Sequence, residues 1–367
     1  MKVLHILDSL NRGGAEVLLL DICRASKRSG LDLHFMATGG GTLEEDFKCS
    51  GVEYFRLQRQ LPFDLRLASQ MRTIIKKEKY DIIHNYQAVA GLHTYFAAMG
   101  LPAKQILSYQ GFFGDVKNRL VTRFLAPRMA MNISCSNGLL QWLAMEEKID
   151  TEEFAVVPNA ADRERLIPTG KNLREELGLS ADTVIFGMMA HFYTDPRKDH
   201  RTVCHAFAQV SQHIPDSCLV LAGRTEPGAE AKMEECVEIC REAGILDQVY
   251  FLGFRQDAAD IATLFDVHVL SSLHEGFPVA LVEAMLLGKA CVLSDIPPHI
   301  EASVGGKYAE LFTTGNAEQL AEKMLFLGSD SSKRQSLGEA AYKYATDNLS
   351  IEAHIESLKK LYRSVAE

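Results

Sequence analysis

Over nearly the whole chain, short runs of β-branched residues and leucine alternate with longer amphipathic stretches. Such runs are buried on both faces and the stretches between them supply covering helices, so the pattern calls for parallel sheets in an α/β protein. In the first half, strands are expected over residues 2–8, 31–38, 52–57, 81–84, 104–109, 132–135 and 153–157. Residues 158–182 carry prolines, charge and a short helical piece, and a new strand opens at 183–189. The alternation then repeats, with strands at 218–222, 248–252, 267–270 and 290–294 and helices such as 199–213 and 230–243. From residue 316 the pattern is helical to the end. Two α/β domains place a cleft between them, lined by the carboxyl ends of strands, where such folds bind ligands.

Composition narrows the class further. With 47% hydrophobic and 24% charged residues over 367 positions, disorder and collagen are excluded. The formal charge of −9 argues against a chain-wide nucleic-acid footprint, although it divides unevenly, +2 over residues 1–158 and −11 over the rest. No apolar run approaches the roughly 20 residues of a membrane-spanning helix. The start MKVLHIL enters a strand pattern without signal-peptide architecture, so the expected location is cytoplasmic. The eight cysteines are scattered, Cys236 and Cys240 being the only close pair, and read as small buried hydrophobes in a reducing compartment.

Residues 271–295, SSLHEGFPVALVEAMLLGKACVLSD, carry the most chemistry. Pro278 opens a helix and Gly288 closes it. The free amides of Val279 and Ala280 then face forward at a positive helix end, a ready site for phosphate. Glu275 lies in the preceding loop and Glu283 within the helix, so the two carboxylates can meet different parts of one extended ligand. A carboxylate accepts paired hydrogen bonds from vicinal hydroxyls, which suits ribose or a hexose. An exposed loop acid beside a helix-face acid is the plainer reading of that spacing. Gly13 and Gly14 follow the first strand, where glycine allows close backbone approach to phosphate. The three-glycine spacing of a dinucleotide site is missing, which disfavours NAD.

EGFPVALVE, Glu275 to Glu283, resembles the Glu-x7-Glu signature of retaining glycosyltransferases of the GT-B fold, most like glycosyltransferase family four. AMLLGKACVLSD, Glu301, VVPNAAD (156–162), LAGRTE (221–226), VYFLGF (249–254) and RGGAE (12–16) are similar to family segments in the same order. The resemblance implies a GT-B fold of two Rossmann-like domains. Residues 1–165 would bind acceptor and 166–349 the nucleotide-sugar donor, with helix 350–367 a candidate to cross back to the first domain. It implies that Glu275 contacts the donor sugar and Glu283 the ribose. Gly276, Phe277, Gly253 and Phe254 join the donor side. YTDPRKDH (193–200) is similar to the family's basic loop, making Arg197 and Lys198 the clamp on the leaving diphosphate, with Lys198 the better match.

Two positions depart from the family pattern. Ala190–His191 stands where members commonly have a glycine and an arginine, and His191 is the candidate replacement. SYQGFF (108–113) puts Gln110 where many members have a histidine, and a glutamine can bond a sugar hydroxyl but cannot shuttle a proton. A retaining front-face mechanism survives that change, because the leaving phosphate oxygen takes the acceptor proton. His84 ends a strand and resembles a histidine often found on the acceptor side, where Gly13 is also assigned; Gly14 is assigned to the donor. A core position for His84 is the alternative.

The expected activity is metal-independent, retaining transfer of a sugar, UDP being the likeliest base on family frequency, to a glycan or lipid-linked hydroxyl in cell-surface polysaccharide synthesis. No cofactor is expected, the nucleotide sugar being a substrate, and there is no Asp-x-Asp motif. The alternatives are a nucleotide-sugar epimerase of the same architecture and a non-catalytic nucleotide-sugar-binding subunit. Residues 115–130 combine Lys117, Arg119, Arg123 and Arg128 with apolar residues at helical spacing. That pattern fits peripheral association with an anionic membrane, or a helix packed on its own domain with its basic face in water.

Overall fold

The computed structural model describes residues 1–113 and 115–367. The chain divides into two compact units, Met1–Asp162 with Leu349–Glu367, and Arg163–Asn348.

In the first unit the strands are β1 (Lys2–Leu7), β2 (Asp32–Ala37), β3 (Glu53–Arg56), β4 (Ile82–Asn85), β5 (Lys104–Tyr109), β6 (Met131–Ser134) and β7 (Ala155–Val156). Between them run α1 (Gly14–Ala25), α2 (Glu44–Lys48), α3 (Leu65–Glu78), α4 (Ala88–Ala98), α5 (Val116–Leu125) and α6 (Asn137–Met145). All pairings are parallel, in the order β3-β2-β1-β4-β5-β6-β7. Each crossover is therefore a helix, and the strands are apolar on both faces because helices cover both. Asp64 caps α3 by accepting from the Arg66 and Leu67 amides, both at 3.1 Å, and the left-handed Lys79 ends it.

The second unit carries α7 (Leu173–Glu176), β8 (Val184–Met189), α8 (His200–His213), β9 (Ser217–Ala222), α9 (Glu230–Glu242), β10 (Val249–Gly253) and α10 (Ala258–Leu264). It continues with β11 (Val267–Leu270), α11 (Val279–Leu286), β12 (Ala290–Ser294), α12 (Pro297–Ala302), β13 (Glu310–Phe312), α13 (Ala317–Gly328) and α14 (Ser331–Asn348). Its sheet is also parallel, ordered β10-β9-β8-β11-β12-β13. β13 is an edge strand the sequence reading lacks.

The last helix, α15 (Ile351–Ala366), belongs to the first unit. Ile351, Ile355, Leu358 and Tyr362 on its inner face are buried with Leu7, Leu18 and Phe35 in that unit's core. Seven of the eight cysteines are buried and Cys49 is exposed. Among the described residues no helix is long and apolar enough to cross a membrane.

Candidate functional site

Where strand order reverses in a parallel sheet, the loops leaving the carboxyl ends of the two strands diverge and open a crevice. In the second unit that point lies between β8 and β11. The loop after β8 carries Lys198 and the loop after β11 carries Glu275. Backbone bonds join the loops: Asp199 N donates to Ser271 O at 3.0 Å, Leu273 N to Arg197 O at 3.0 Å, and Lys198 bridges Ser272 antiparallel. The Lys198 ammonium is ion-paired with Glu275 Oε1, which also accepts from Ser272 Oγ at 2.9 Å. Their side chains are 11% and 13% exposed. Burial pushes the Glu275 carboxyl upward, but the Lys198 charge and the hydrogen bonds from Lys198 and Ser272 outweigh it and hold the group below its ordinary range. An ionised carboxylate and an ammonium thus sit side by side in a poorly solvated place, which is how fixed charge stabilises charge developing on a substrate.

A polar chain supports the pair from beneath. Ser294 Oγ donates to Ser272 O at 2.8 Å and accepts from Ser272 N at 3.0 Å. His299 Nδ1 donates to Ser294 O at 2.9 Å. Burial brings His299 down to about 4 and the neighbouring His268 to about 3, so both are neutral at pH 7. Sequence reading missed His299, Ser272 and Ser294, because the signal lies in strand-end serines that only sheet pairing brings together.

Pro278 precedes α11, and the first bond of the helix runs from Leu281 N to Pro278 O at 3.2 Å. The Val279 and Ala280 amides precede that bond, as expected of an open N-terminus. Gly276 and Phe277 are buried in the approach to the helix. Glu283 lies one to two turns along α11, with Oε1 accepting from Arg165 Nη2 at 2.8 Å. Gly253 ends β10 and Phe254 follows it, two strands away from the reversal.

Arg197 does not fit the clamp expected of it. Its Nε and Nη2 are held by the Asp195 carboxylate at 2.8 and 2.6 Å, and its guanidinium stacks 4.6 Å from the Tyr193 ring centroid. An arginine two residues from an aspartate in a tight loop is neutralised locally. Lys232 fixes the same loop by donating to the carbonyls of Tyr193, Thr194 and Asp195 at 2.9, 2.8 and 2.7 Å. His191 accepts from the Arg224 amide through Nδ1 at 3.0 Å.

The order of the first unit's sheet reverses between β1 and β4. Gly13 caps α1 with extended backbone and Gly14 begins it, so both flank that point. Beside them is a cluster the sequence reading missed. Asp8, just past β1, accepts from Thr38 Oγ1 at 2.7 Å and from Arg59 Nη2 at 2.6 Å, and its amide donates to Gln87 Oε1 at 2.6 Å. The tract Gly39–Gly41 was its signal: a Cβ on Gly39 would stand 2.0 Å from Asp8 O, so only glycine lets the two loops touch. Gln110 follows β5, its Oε1 buried and accepting no hydrogen bond among the described residues.

His84 is a core residue rather than an acceptor contact, which corrects its assignment. It is fully buried, with Nδ1 2.6 Å from Tyr362 OH and Nε2 2.6 Å from Ser108 Oγ, leaving neither nitrogen for a ligand. A cavity of about 690 Å³ in this unit opens at the amino ends of β6 and β7, lined by Arg123, Met131, Lys148 and Phe154, at the opposite end of the sheet from these loops. Among the described residues no group of three or more His, Cys, Asp or Glu side chains is placed to hold a metal.

Comparison with known proteins agrees with this architecture. Residues 12–165 match the Glycosyltransferase Family 4 model and residues 170–344 the model of Glycosyl transferases group 1. The chain is 28% identical over 324 residues to the putative glycosyltransferase EpsF of Bacillus subtilis (strain 168), spanning 83% of this chain and 82% of that one. It is 28% identical over 248 residues to an Escherichia coli UDP-Gal:alpha-D-GlcNAc-diphosphoundecaprenol alpha-1,3-galactosyltransferase, spanning 64% and 62%. Among solved structures, Anabaena Alr3699/HepE in complex with UDP superposes with a TM-score of 0.86 at 21% identity, over 99% of this chain and all of that one. A glycosyltransferase from Rickettsia africae ESF-5 gives 0.86 at 17%, over 100% and 98%. The fold is GT-B.

Proposed function

We propose, from the premise that the chain belongs to the glycosyltransferases built of a Glycosyltransferase Family 4 unit and a Glycosyl transferases group 1 unit, that it transfers a sugar from a UDP-sugar to a hydroxyl of a glycan or lipid-linked acceptor. The observation that carries this reading is the largely buried Lys198–Glu275 pair at the strand-order reversal of the second unit. Lys198 and the amides of Val279 and Ala280 supply positive charge for a leaving diphosphate. Glu275 is ionised and available to sugar hydroxyls, and Glu283 to the ribose once it shares Arg165. With these groups in place the charge on the leaving group is met without a divalent ion. The anomeric configuration is retained because the leaving phosphate oxygen itself receives the acceptor proton on the same face. The E. coli relative, by its name, uses UDP-Gal and a diphosphoundecaprenol-linked sugar, which supports a UDP donor and a role in cell-surface polysaccharide synthesis.

The test is a thermal-shift panel of UDP, GDP, ADP and CMP with and without EDTA. A selective rise with UDP, indifferent to EDTA and lost in Glu283→Ala, is expected. A rise only with added divalent metal, or none with any nucleotide, contradicts the reading.

Membrane association belongs to the same reading, and its support is the surface of the first unit. Between residues 61 and 128 lie ten basic and four acidic residues, in a chain whose net charge is −9. Leu61, Phe63, Leu65, Phe96, Met99, Val116 and Leu120 are exposed there, Leu65 at 69% and Val116 at 65%. Phe63 lies 5.4 Å from Phe96 between ring centroids, tying the loop before α3 to α4. Apolar anchors among cations are the chemistry of an anionic lipid surface. In flotation assays the protein is expected to rise with phosphatidylglycerol vesicles but not with pure phosphatidylcholine. The double variant Leu65→Ser/Leu120→Ser should weaken that binding about tenfold, the loss of a few buried methylene equivalents. Equal flotation of parent and variant would contradict the assignment.

A further inference from the structure

The loops after β8 and β9 run side by side at the carboxyl edge of the second unit's sheet. Phe192 N donates to Arg224 O at 3.0 Å, Glu226 N donates to Phe192 O at 2.9 Å, and Phe192 bridges Thr225 in parallel. Gly223 makes this approach feasible, since a Cβ there would stand 2.0 Å from Ala190 O. The His191 ring accepts the Arg224 amide proton, so His191 fixes where Arg224 leaves the backbone. Two neighbouring cations are committed to the loop itself, Arg197 chelated by Asp195 and Lys232 donating to three loop carbonyls, while Lys198 is shared with Glu275. Arg224 differs from them. Its side chain is 37% exposed, its contact with Glu226 is as long as 4.0 Å, and its Nε is buried with no hydrogen-bond partner among the described residues. It also shares with Glu275 and Arg197 the electrostatic surroundings of the Tyr193 hydroxyl, which puts all three around one side chain.

We infer that Arg224 is a phosphate-binding cation of the donor site, acting beside Lys198, and that Arg197 is not. The inference rests on the reading that this unit binds a nucleoside diphosphate. A buried guanidinium Nε without an acceptor is costly, and a phosphate oxygen supplies that acceptor in the geometry arginine suits. His191 then acts through its Nδ1 lone pair, holding the arginine that supplies the charge.

The experiment is titration calorimetry of UDP and GDP, with uridine and guanosine followed by ligand-observed NMR, on the parent, Arg224→Gln, Arg224→Lys and Arg197→Gln. Arg224→Gln is expected to weaken the preferred diphosphate about 10- to 100-fold, the size of a lost charge-assisted hydrogen bond. Its nucleoside should bind unchanged, Arg224→Lys should recover part of the loss, and Arg197→Gln should stay within about twofold of the parent. Overturning results are an Arg224→Gln affinity equal to the parent's, an equal loss for nucleoside and diphosphate, or a larger loss in Arg197→Gln. If the parent itself binds none of the four compounds, the donor reading falls and this inference falls with it.

Discussion

Lys198→Ala is expected to lower turnover of the preferred donor by about 10²–10³-fold, the cost of removing one preorganised charge from a developing oxyanion. The loss has two parts. The leaving diphosphate loses an ammonium held at the strand-order reversal by the bridge to Ser272. Glu275 loses the cation that offsets its burial, so its carboxyl titrates higher than in the parent. The acid limb of the pH–rate profile should therefore shift to higher pH in the variant. Gln110→Ala, which removes a neutral hydrogen-bonding group, should cost less. Steady-state kinetics from pH 5.5 to 8.5 check both statements, and a smaller loss for Lys198→Ala than for Gln110→Ala would mean that the leaving group is met elsewhere.

Acid should unfold this protein well above the pH at which its carboxylates titrate. Burial brings His5, His200 and His268 to about 3 and His299 and His354 to about 4, and holds His84 far below its ordinary value. Each is neutral in the fold and has an ordinary pKa of about 6.5 in the unfolded chain. Below pH 6.5 the unfolded chain binds protons that the native state refuses. The stabilisation is therefore complete above that value and drains as pH falls from 6.5 toward the folded pKa values. At pH 5 each group contributes a loss of about 2 kcal/mol, so three in each unit remove on the order of 6 kcal/mol, comparable to a domain's whole stability. In the first unit the mechanism is visible in Tyr362 OH, which sits 2.9 Å from His5 Nε2 and 2.6 Å from His84 Nδ1 and anchors α15. Calorimetric scans are expected to show a steep fall in the unfolding temperature between pH 6.5 and 5. A temperature constant over that range would contradict the assignment of neutral buried imidazoles.

The architecture was legible where periodicity is strong. The helix expected at 199–213 is His200–His213, and the strand expected at 267–270 is Val267–Leu270. The division between units falls after Asp162, three residues before the place read from the prolines and charges of residues 158–182. β13 escaped because three residues at a sheet edge make no periodic signal. In the site, the Glu275 to Glu283 spacing and its family likeness pointed to the loop and helix that the fold places at the strand-order reversal of the second unit. What stayed hidden depends on partners distant in sequence or on local geometry. Nothing in DIIHNYQ tells that His84 will meet Tyr362, 278 residues later, and this is why its core and acceptor-side readings both stayed open. Asp195 lies two residues from Arg197, yet only the folded loop shows the carboxylate closing on the guanidinium. Arg224 could have been singled out from the glycine before it, since a glycine at a strand end marks a close approach of backbones.

Proton NMR of donor turnover in EDTA, with the parent and Glu275→Gln, separates metal-free retaining transfer from its alternatives. The parent is expected to consume one nucleotide sugar without divalent metal, the sugar first appearing with the anomeric configuration it had in the donor, and Glu275→Gln is expected to abolish the reaction. Inversion at the anomeric carbon, a strict need for added metal, or unaltered turnover in Glu275→Gln would contradict it.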